Sequence, residues 1–202
     1  MTITDAPAAA RPSLRDRLRS DTREAHEALD ASFADMFGDA EGARYRRFLR
    51  MNHLAHEAIE PILSGSPLDW TGRDAPDAGR LAAVRRDAEA IGLPPEPAPG
   101  FPIENPDLPE ALGIAYVLEG SRLGAKFMLR ALKREGAGSG DPWPTAYLEA
   151  SSDARPFAHL IERMDAEPMN EGMVRRAVSA ADETFRFFQR LAEDSATRTI
   201  RV

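Results

Sequence analysis

Four histidines and no cysteines set what this chain can offer a metal ion: His26, His53, His56 and His159. An imidazole is a neutral ligand or a base near neutral pH. Without thiolates, any metal chemistry must use histidine, carboxylates or a bound cofactor. His159 falls on the polar side of its segment, opposite Phe157, Leu160, Ile161 and Met164, and reads as solvated; His53 takes an edge position. His56 is centred on an apolar face, where a histidine is more often a hydrogen-bonded core residue than a ligand. His26, in "SDTREAHEALDASF", borders an apolar stripe among the small or polar Thr22, Ala25 and Ala28. Periodicity does not rank His26 above His56.

A second feature is an absence of side chains. The stretch "YVLEGSRLGAKF", Tyr116 to Phe127, has helical character except for Gly120 and Gly124. Each glycine inside a helix costs about 1 kcal/mol against alanine. On a wheel of about 100° per residue, Gly113, Gly120, Gly124 and Ala131 share one stripe, edged by Tyr116, Leu123 and Phe127. Such a groove can receive another helix backbone, or a flat ligand lying against the peptide groups. It also lets the helix bend. The glycines alone serve either purpose.

These residues sit on helical segments. Ser13 and Asp16 form a capping-box pattern ahead of Leu14, Leu18, Thr22, Ala25, Leu29 and Phe33 at helical spacing, which predicts one amphipathic helix carrying His26. A second helix is expected from about Glu41 to Leu63, with Tyr45, Leu49, Asn52, His56, Ile59 and Leu63 on one face. "DAGRLAAVRRDAEAIG" gives a shorter helix ending at Gly92, and "LPPEPAPGFPIENPDLP" is too proline-rich for regular structure. The glycine-bearing helix should run from about Pro109 to Glu135, until "GAGSGDPWP" breaks it. Two more helices follow, near Arg155 to Asp165 and Asn170 to Asp194, the last bearing Val174, Val178, Ala181, Phe185, Phe188 and Leu191. Strand patterns are nearly absent. The expected architecture is a single all-α bundle of six or seven helices over 13–195, with a disordered start over 1–12 and a tail over 196–202.

Composition narrows the function classes. At 202 residues the chain supports one sizeable core, and its net charge of −7 argues against a general nucleic-acid or anionic-membrane surface. Disulfides, zinc ribbons, thiolate nucleophiles and sequence-encoded iron–sulfur clusters are excluded. Neither a signal-like start nor a membrane-spanning apolar run is present, which makes a soluble cytoplasmic protein the expectation.

Taken together, "LRSDTREAHEALD" and "YVLEGSRLGAKF" resemble the bacterial heme oxygenases. The similarity extends from about Leu14 to Leu191, through "ARYRRFLRMNHLAHEAIEPIL" and the aromatic "ADETFRFFQRL". The resemblance implies a helical domain in which heme lies between a proximal helix supplying an axial histidine and a kinked distal helix whose glycines meet the heme face. By motif, His26 is then the proximal ligand and Gly120 and Gly124 the distal glycines, with Ser121 between them. Tyr116, Phe127, Phe185 and Phe188 become candidate pocket walls, a plain core role being equally open to each. The implied activity is cleavage of heme, cofactor and substrate at once, by O₂ and electrons to biliverdin, carbon monoxide and ferrous iron. A ferredoxin and its reductase are the kind of electron donor implied, and a biliverdin-using photoreceptor is a candidate recipient.

One departure is visible. Animal-type members carry an aspartate after the first distal glycine, where this chain has Ser121, in the bacterial "EGS" pattern. The proton route is then expected to use ordered water, backbone carbonyls and Arg122 or Glu119. The animal-type basic pair that anchors heme propionates has no clear counterpart near Phe157 to Met164. Two other readings share the fold: a non-catalytic heme carrier, and a helical interaction module whose glycine stripe packs a neighbour.

Overall fold

The structure, a computed structural model, describes residues 12–34, 36, 42–68, 79–135 and 143–199, and the only regular elements among them are helices. These are α1 (Leu14–Asp21), α2 (Arg23–Ala31), α3 (Ala43–Ser64), α4 (Gly79–Ala90), α5 (Leu108–Gly120), α6 (Arg122–Glu135), α7 (Ala146–Ser151), α8 (Arg155–Ala166) and α9 (Glu171–Thr199). The disorder expected at the start, most of "GAGSGDPWP" and the end of the expected tail lie outside the described residues.

The capping box forms as the sequence suggests. Ser13 Oγ accepts from the Asp16 amide at 3.2 Å, while the Asp16 carboxylate accepts from the Ser13 amide at 3.3 Å. The helix it starts is not continuous, however. Thr22 leaves helical geometry at φ −103°, ψ 7°, and its hydroxyl donates to the Leu18 carbonyl at 2.7 Å. A threonine that bonds back one turn competes with the backbone ladder and bends the helix. The single helix expected over Ser13 to Phe33 is therefore two, with His26 on the second.

A corresponding correction applies to the helix expected from Pro109 to Glu135. Its first half, α5, is buried on nearly every side, from Pro109 and Ala111 to Leu118 and Glu119, as befits a central helix. Asp107 and Glu110 close a second capping box at its start, with bonds of 3.0 and 2.9 Å. The break comes at Ser121, whose hydroxyl donates to the Leu118 carbonyl at 2.7 Å. The Gly124 amide then closes a tight turn on the Ser121 carbonyl at 3.2 Å. Two glycines and a back-bonding serine supply the local weakness that a kink requires.

The core lies where α5 crosses α9, with α3 against α9 and α4, and α8 against α5. One cluster of buried apolar side chains draws on every helix except α2, which adds the half-buried Ala25 and Leu29. The proline-rich link packs onto this core through Phe101, whose ring meets Phe187 edge-on at 5.2 Å. The short α7 has no counterpart in the sequence reading. Its first amides are capped from another helix, since the Asp87 carboxylate of α4 accepts from Ala146 N at 3.2 Å and Tyr147 N at 2.8 Å. At the start of α3, Gly42 has φ +64° and faces the Trp143 ring so closely that a Cβ would fall 1.4 Å from it. Only glycine fits there.

Candidate functional site

A cleft of about 670 Å³ is lined by residues of α2, α3, α5, α6, α8 and α9. Its size suits a small-molecule or cofactor site. His26 on α2 and Phe185 and Phe188 on α9 line it together with Tyr116, Gly120, Ser121, Gly124 and Phe127 around the α5–α6 kink. All eight residues singled out from the sequence thus border a single cavity. Phe185 and Phe188, at 4% and 5% exposure, serve the core and the cleft wall together. Phe127 stands 71% exposed at the mouth beside Leu123, an apolar rim of the kind that marks a binding site.

His26 is an exposed side chain with two neighbours. Its ring meets Phe185 edge-on at 5.6 Å, and Nδ1 faces the Asp30 carboxylate one turn along at 3.3 Å. With Nδ1 beside that carboxylate, Nε2 is the ring nitrogen left open to a ligand. The other three histidines are engaged elsewhere or exposed: His53 pairs with Glu57 at 3.2 Å, His159 is exposed, and His56 is fully buried between Glu60 and Tyr147. The choice that periodicity left open between His26 and His56 is one between a cleft residue and a core residue.

The glycine stripe divides as well. A Cβ on Gly113 would lie 2.0 Å from the Ala177 carbonyl oxygen, so this glycine admits the α9 backbone. At Gly120 the nearest atom to such a Cβ is a Phe157 ring carbon at 3.7 Å, and at Gly124 a Met128 methyl at 3.8 Å. Both have room for a side chain and show bare backbone to the cleft instead. Helix packing explains the first glycine, and an exposed backbone surface remains at the other two.

Ser121 lines the cleft, but its hydroxyl hydrogen is spent on the Leu118 carbonyl. Glu119 and Arg122 are corrected out of the expected proton route, since neither lines the cleft. Both side chains are 1% exposed and face away from the cleft, Glu119 bridging Arg80 and Arg122, and Arg122 also donating to the Ala150 carbonyl at 3.1 Å. Sequence reasoning missed Asn52, a buried polar residue in the cleft wall, whose signal was a carboxamide in the middle of an apolar face. Burial raises the Tyr116 hydroxyl above its ordinary pKa, against the lowering influence of Arg15 and Arg19 on α1. No arginine or lysine lines the cleft among the described residues.

No protein-family model matches the chain. It is 27% identical over 194 residues to heme oxygenase PigA of Pseudomonas aeruginosa, covering 94% of this chain and 97% of that protein. In structure it resembles the heme oxygenase of Neisseria meningitidis, solved with NO and CO bound, with a TM-score of 0.61 and 22% identity over 91% of this chain and 92% of that one. The fold is the all-α fold of the heme oxygenases. The chain's likeness, in sequence and in fold, is to the bacterial heme oxygenases.

Proposed function

We propose that this protein is a heme oxygenase, cleaving heme with O₂ and electrons to biliverdin, carbon monoxide and ferrous iron. One observation carries the reading: a single imidazole, His26, and the bare backbone of Gly120 and Gly124 border one largely apolar cleft. One imidazole is too few ligands for a free metal ion, but it suits iron already held in the plane of a macrocycle. A thin apolar plate fits between a histidine and two glycines better than a bulkier ligand would.

In this reading His26 would hold the iron, Phe185 and Phe188 would line the pocket beside it, and Gly120, Gly124, Tyr116 and Phe127 would bound the rest of it. Heme, when bound, would supply a redox iron able to react with O₂, and is itself the molecule consumed. The chain's residues orient the plate, and the glycines keep side chains off the reacting face. Ser121 contributes an acceptor oxygen rather than a proton, because its hydrogen is already donated. A ferredoxin with its reductase as electron donor, a cytoplasmic location and a photoreceptor as recipient of biliverdin belong to the same proposal, as does the assignment of residues 13–195 to the catalytic domain. No helix among the described residues is long and apolar enough to cross a membrane.

The test is a hemin titration followed by reduction. A Soret band at one-to-one stoichiometry, replaced by biliverdin absorption when a ferredoxin–reductase couple is added, is the expected result. A ferrous heme complex that persists under O₂ makes the protein a heme carrier, and no Soret band at all leaves only helix packing.

A further inference from the structure

Behind the cleft wall a buried chain of hydrogen bonds runs from Asn52 to Glu60. Asn52 Nδ2 donates to the Phe48 carbonyl at 2.8 Å, the Tyr147 hydroxyl lies 2.7 Å from Asn52 Oδ1, His56 Nε2 lies 3.1 Å from the same hydroxyl oxygen, and His56 Nδ1 lies 2.7 Å from Glu60 Oε1. The hydrogens can be counted along this chain, because its two ends are fixed by chemistry. A backbone carbonyl only accepts, so the Asn52 amino group must point at Phe48 and its oxygen at Tyr147. That oxygen only accepts too, so the single hydroxyl hydrogen of Tyr147 goes to Asn52, and the buried Ser151 hydroxyl beside it on α7 acts toward the Tyr147 oxygen as a donor. His56 must then carry hydrogen on Nε2 to reach the Tyr147 oxygen. At the far end, Nδ1 and a carboxylate oxygen 2.7 Å apart are both acceptors unless one further proton lies between them.

We infer that a proton shared by His56 and Glu60 keeps the Tyr147 hydroxyl bonded to the Asn52 carboxamide in the cleft wall, and that loss of this proton breaks that bond and leaves Asn52 held only by the Phe48 carbonyl. The release follows from the same count. When the proton leaves through the partly exposed Glu60 carboxyl, the remaining imidazole hydrogen must move to Nδ1 to satisfy the carboxylate. Bare Nε2 then takes the Tyr147 hydroxyl hydrogen, and Asn52 Oδ1 loses its donor. Asn52 is thus a positioning residue of the cleft, with Tyr147 as the switch and His56–Glu60 as its control. The second Asn52 N–H has no acceptor among the described residues, which leaves it for whatever the cleft holds.

The surroundings bear on when the proton is lost. Burial disfavours the imidazolium and lowers His56 overall; the Glu60 carboxylate opposes this. From the elements packed against the ring, Arg80 on α4 also disfavours the cation and Glu119 on α5 favours it, while Tyr147 on α7 is the uncharged partner. Burial is the largest of these influences and the net direction is down, so the proton that the hydrogen-bond count requires is one the site gives up readily.

The relevance of Asn52 to catalysis rests on the heme reading, but the proton count does not, and it is tested on the protein without heme. Nitrogen-15 NMR of the labelled chain from about pH 5 to pH 9 reads the His56 ring nitrogens and the Asn52 side-chain amide directly. Expected is hydrogen on Nε2 at the acid end, and a shift of the Asn52 amide with the same midpoint as the ring. In Glu60→Gln the carboxamide donates to Nδ1 without ionising, so the Asn52 amide should keep its acid-end position throughout. In Tyr147→Phe the ring should titrate while Asn52 no longer follows it. Hydrogen on Nδ1 alone at the acid end overturns the inference, as does an Asn52 amide that stays still while His56 titrates, or a Glu60→Gln protein that keeps the shift. A pair that holds its proton over the whole range overturns the release.

Discussion

Glu119, the residue before Gly120, is clamped by Arg80 from a different helix, and both side chains are buried to within 1% exposure. The same carboxylate takes Arg122 across the kink, and Arg80 also donates to the Leu118 carbonyl at 3.1 Å. One carboxylate therefore balances two guanidiniums and ties α4, the end of α5 and the start of α6 together at the break. Among the described residues, Arg80 Nε and Arg122 Nη2 already lack hydrogen-bond partners. Removing the carboxylate leaves two buried cations facing each other, and breaking a buried pair this way costs about 3–5 kcal/mol. Glu119→Ala should lower unfolding free energy by that order in a denaturant titration. A loss under about 1 kcal/mol would show that the triad is not what holds the kink.

Asp87 predicts a pH dependence of opposite sign to a surface carboxylate. Its pKa is raised in the fold, chiefly by burial, despite the amides of Tyr147 and Ala146 that it accepts from. A carboxyl that binds its proton more tightly folded than unfolded lends stability at acid pH, and that contribution disappears as pH rises past its folded pKa. Asp87→Asn removes the titration and one of the two capping bonds, the latter worth about 1 kcal/mol. The gap in stability between the parent and Asp87→Asn should therefore narrow from acid pH toward neutrality. Thermal unfolding at a series of pH values measures it, and a gap that widens over that interval contradicts the raised pKa.

The parts of the fold legible in sequence were those set by local signals. The Ser13–Asp16 capping box, the prolines of 93–109 and the 3.6-residue period placed the longer helical segments to within a few residues. What stayed hidden depended on partners distant in the chain. The α7 cap comes from Asp87, 59 positions from Ala146, and Glu119 looked like a candidate proton donor because its two arginines could not be seen beside it. The kinks at Thr22 and Ser121 arise from hydroxyls bonding back to a carbonyl, a choice each side chain makes only in context. Asn52 was placed on its face correctly, and only the cavity on the other side of that face gave it meaning.

His26 and His56 should separate cleanly under mutation, because one lies in the cleft and the other in the core. His26→Ala removes the proposed ligand, an exposed side chain whose loss leaves little packing undone, so stability should change by under about 0.5 kcal/mol while the histidine-ligated hemin spectrum is lost. His56→Ala leaves a cavity and strips Glu60 and Tyr147 of their partner. It should lower stability by about 2–4 kcal/mol and keep the ligated spectrum wherever the protein is folded. Hemin spectra paired with melting curves decide the matter, and a ligated spectrum in His26→Ala moves the axial ligand to another residue.

The three glycines of the α5–α6 region predict three different outcomes from one substitution. Gly113→Ala drives a methyl to 2.0 Å from the Ala177 carbonyl, so α5 and α9 must separate, at about 1–3 kcal/mol or more. Gly120→Ala and Gly124→Ala meet only atoms at 3.7 and 3.8 Å, an ordinary contact distance, and each gains helix propensity of up to about 1 kcal/mol. Their methyl groups, however, enter the cleft that His26 also lines. The two variants should therefore match or exceed the parent in stability and fall about tenfold or more in heme turnover, an order set by the loss of about 1.4 kcal/mol in positioning. Gly113→Ala, compared at a temperature where it remains folded, should keep its turnover. If Gly120→Ala and Gly124→Ala are more stable with turnover unchanged, the bare backbone serves the helix alone and the distal role assigned to these glycines is wrong.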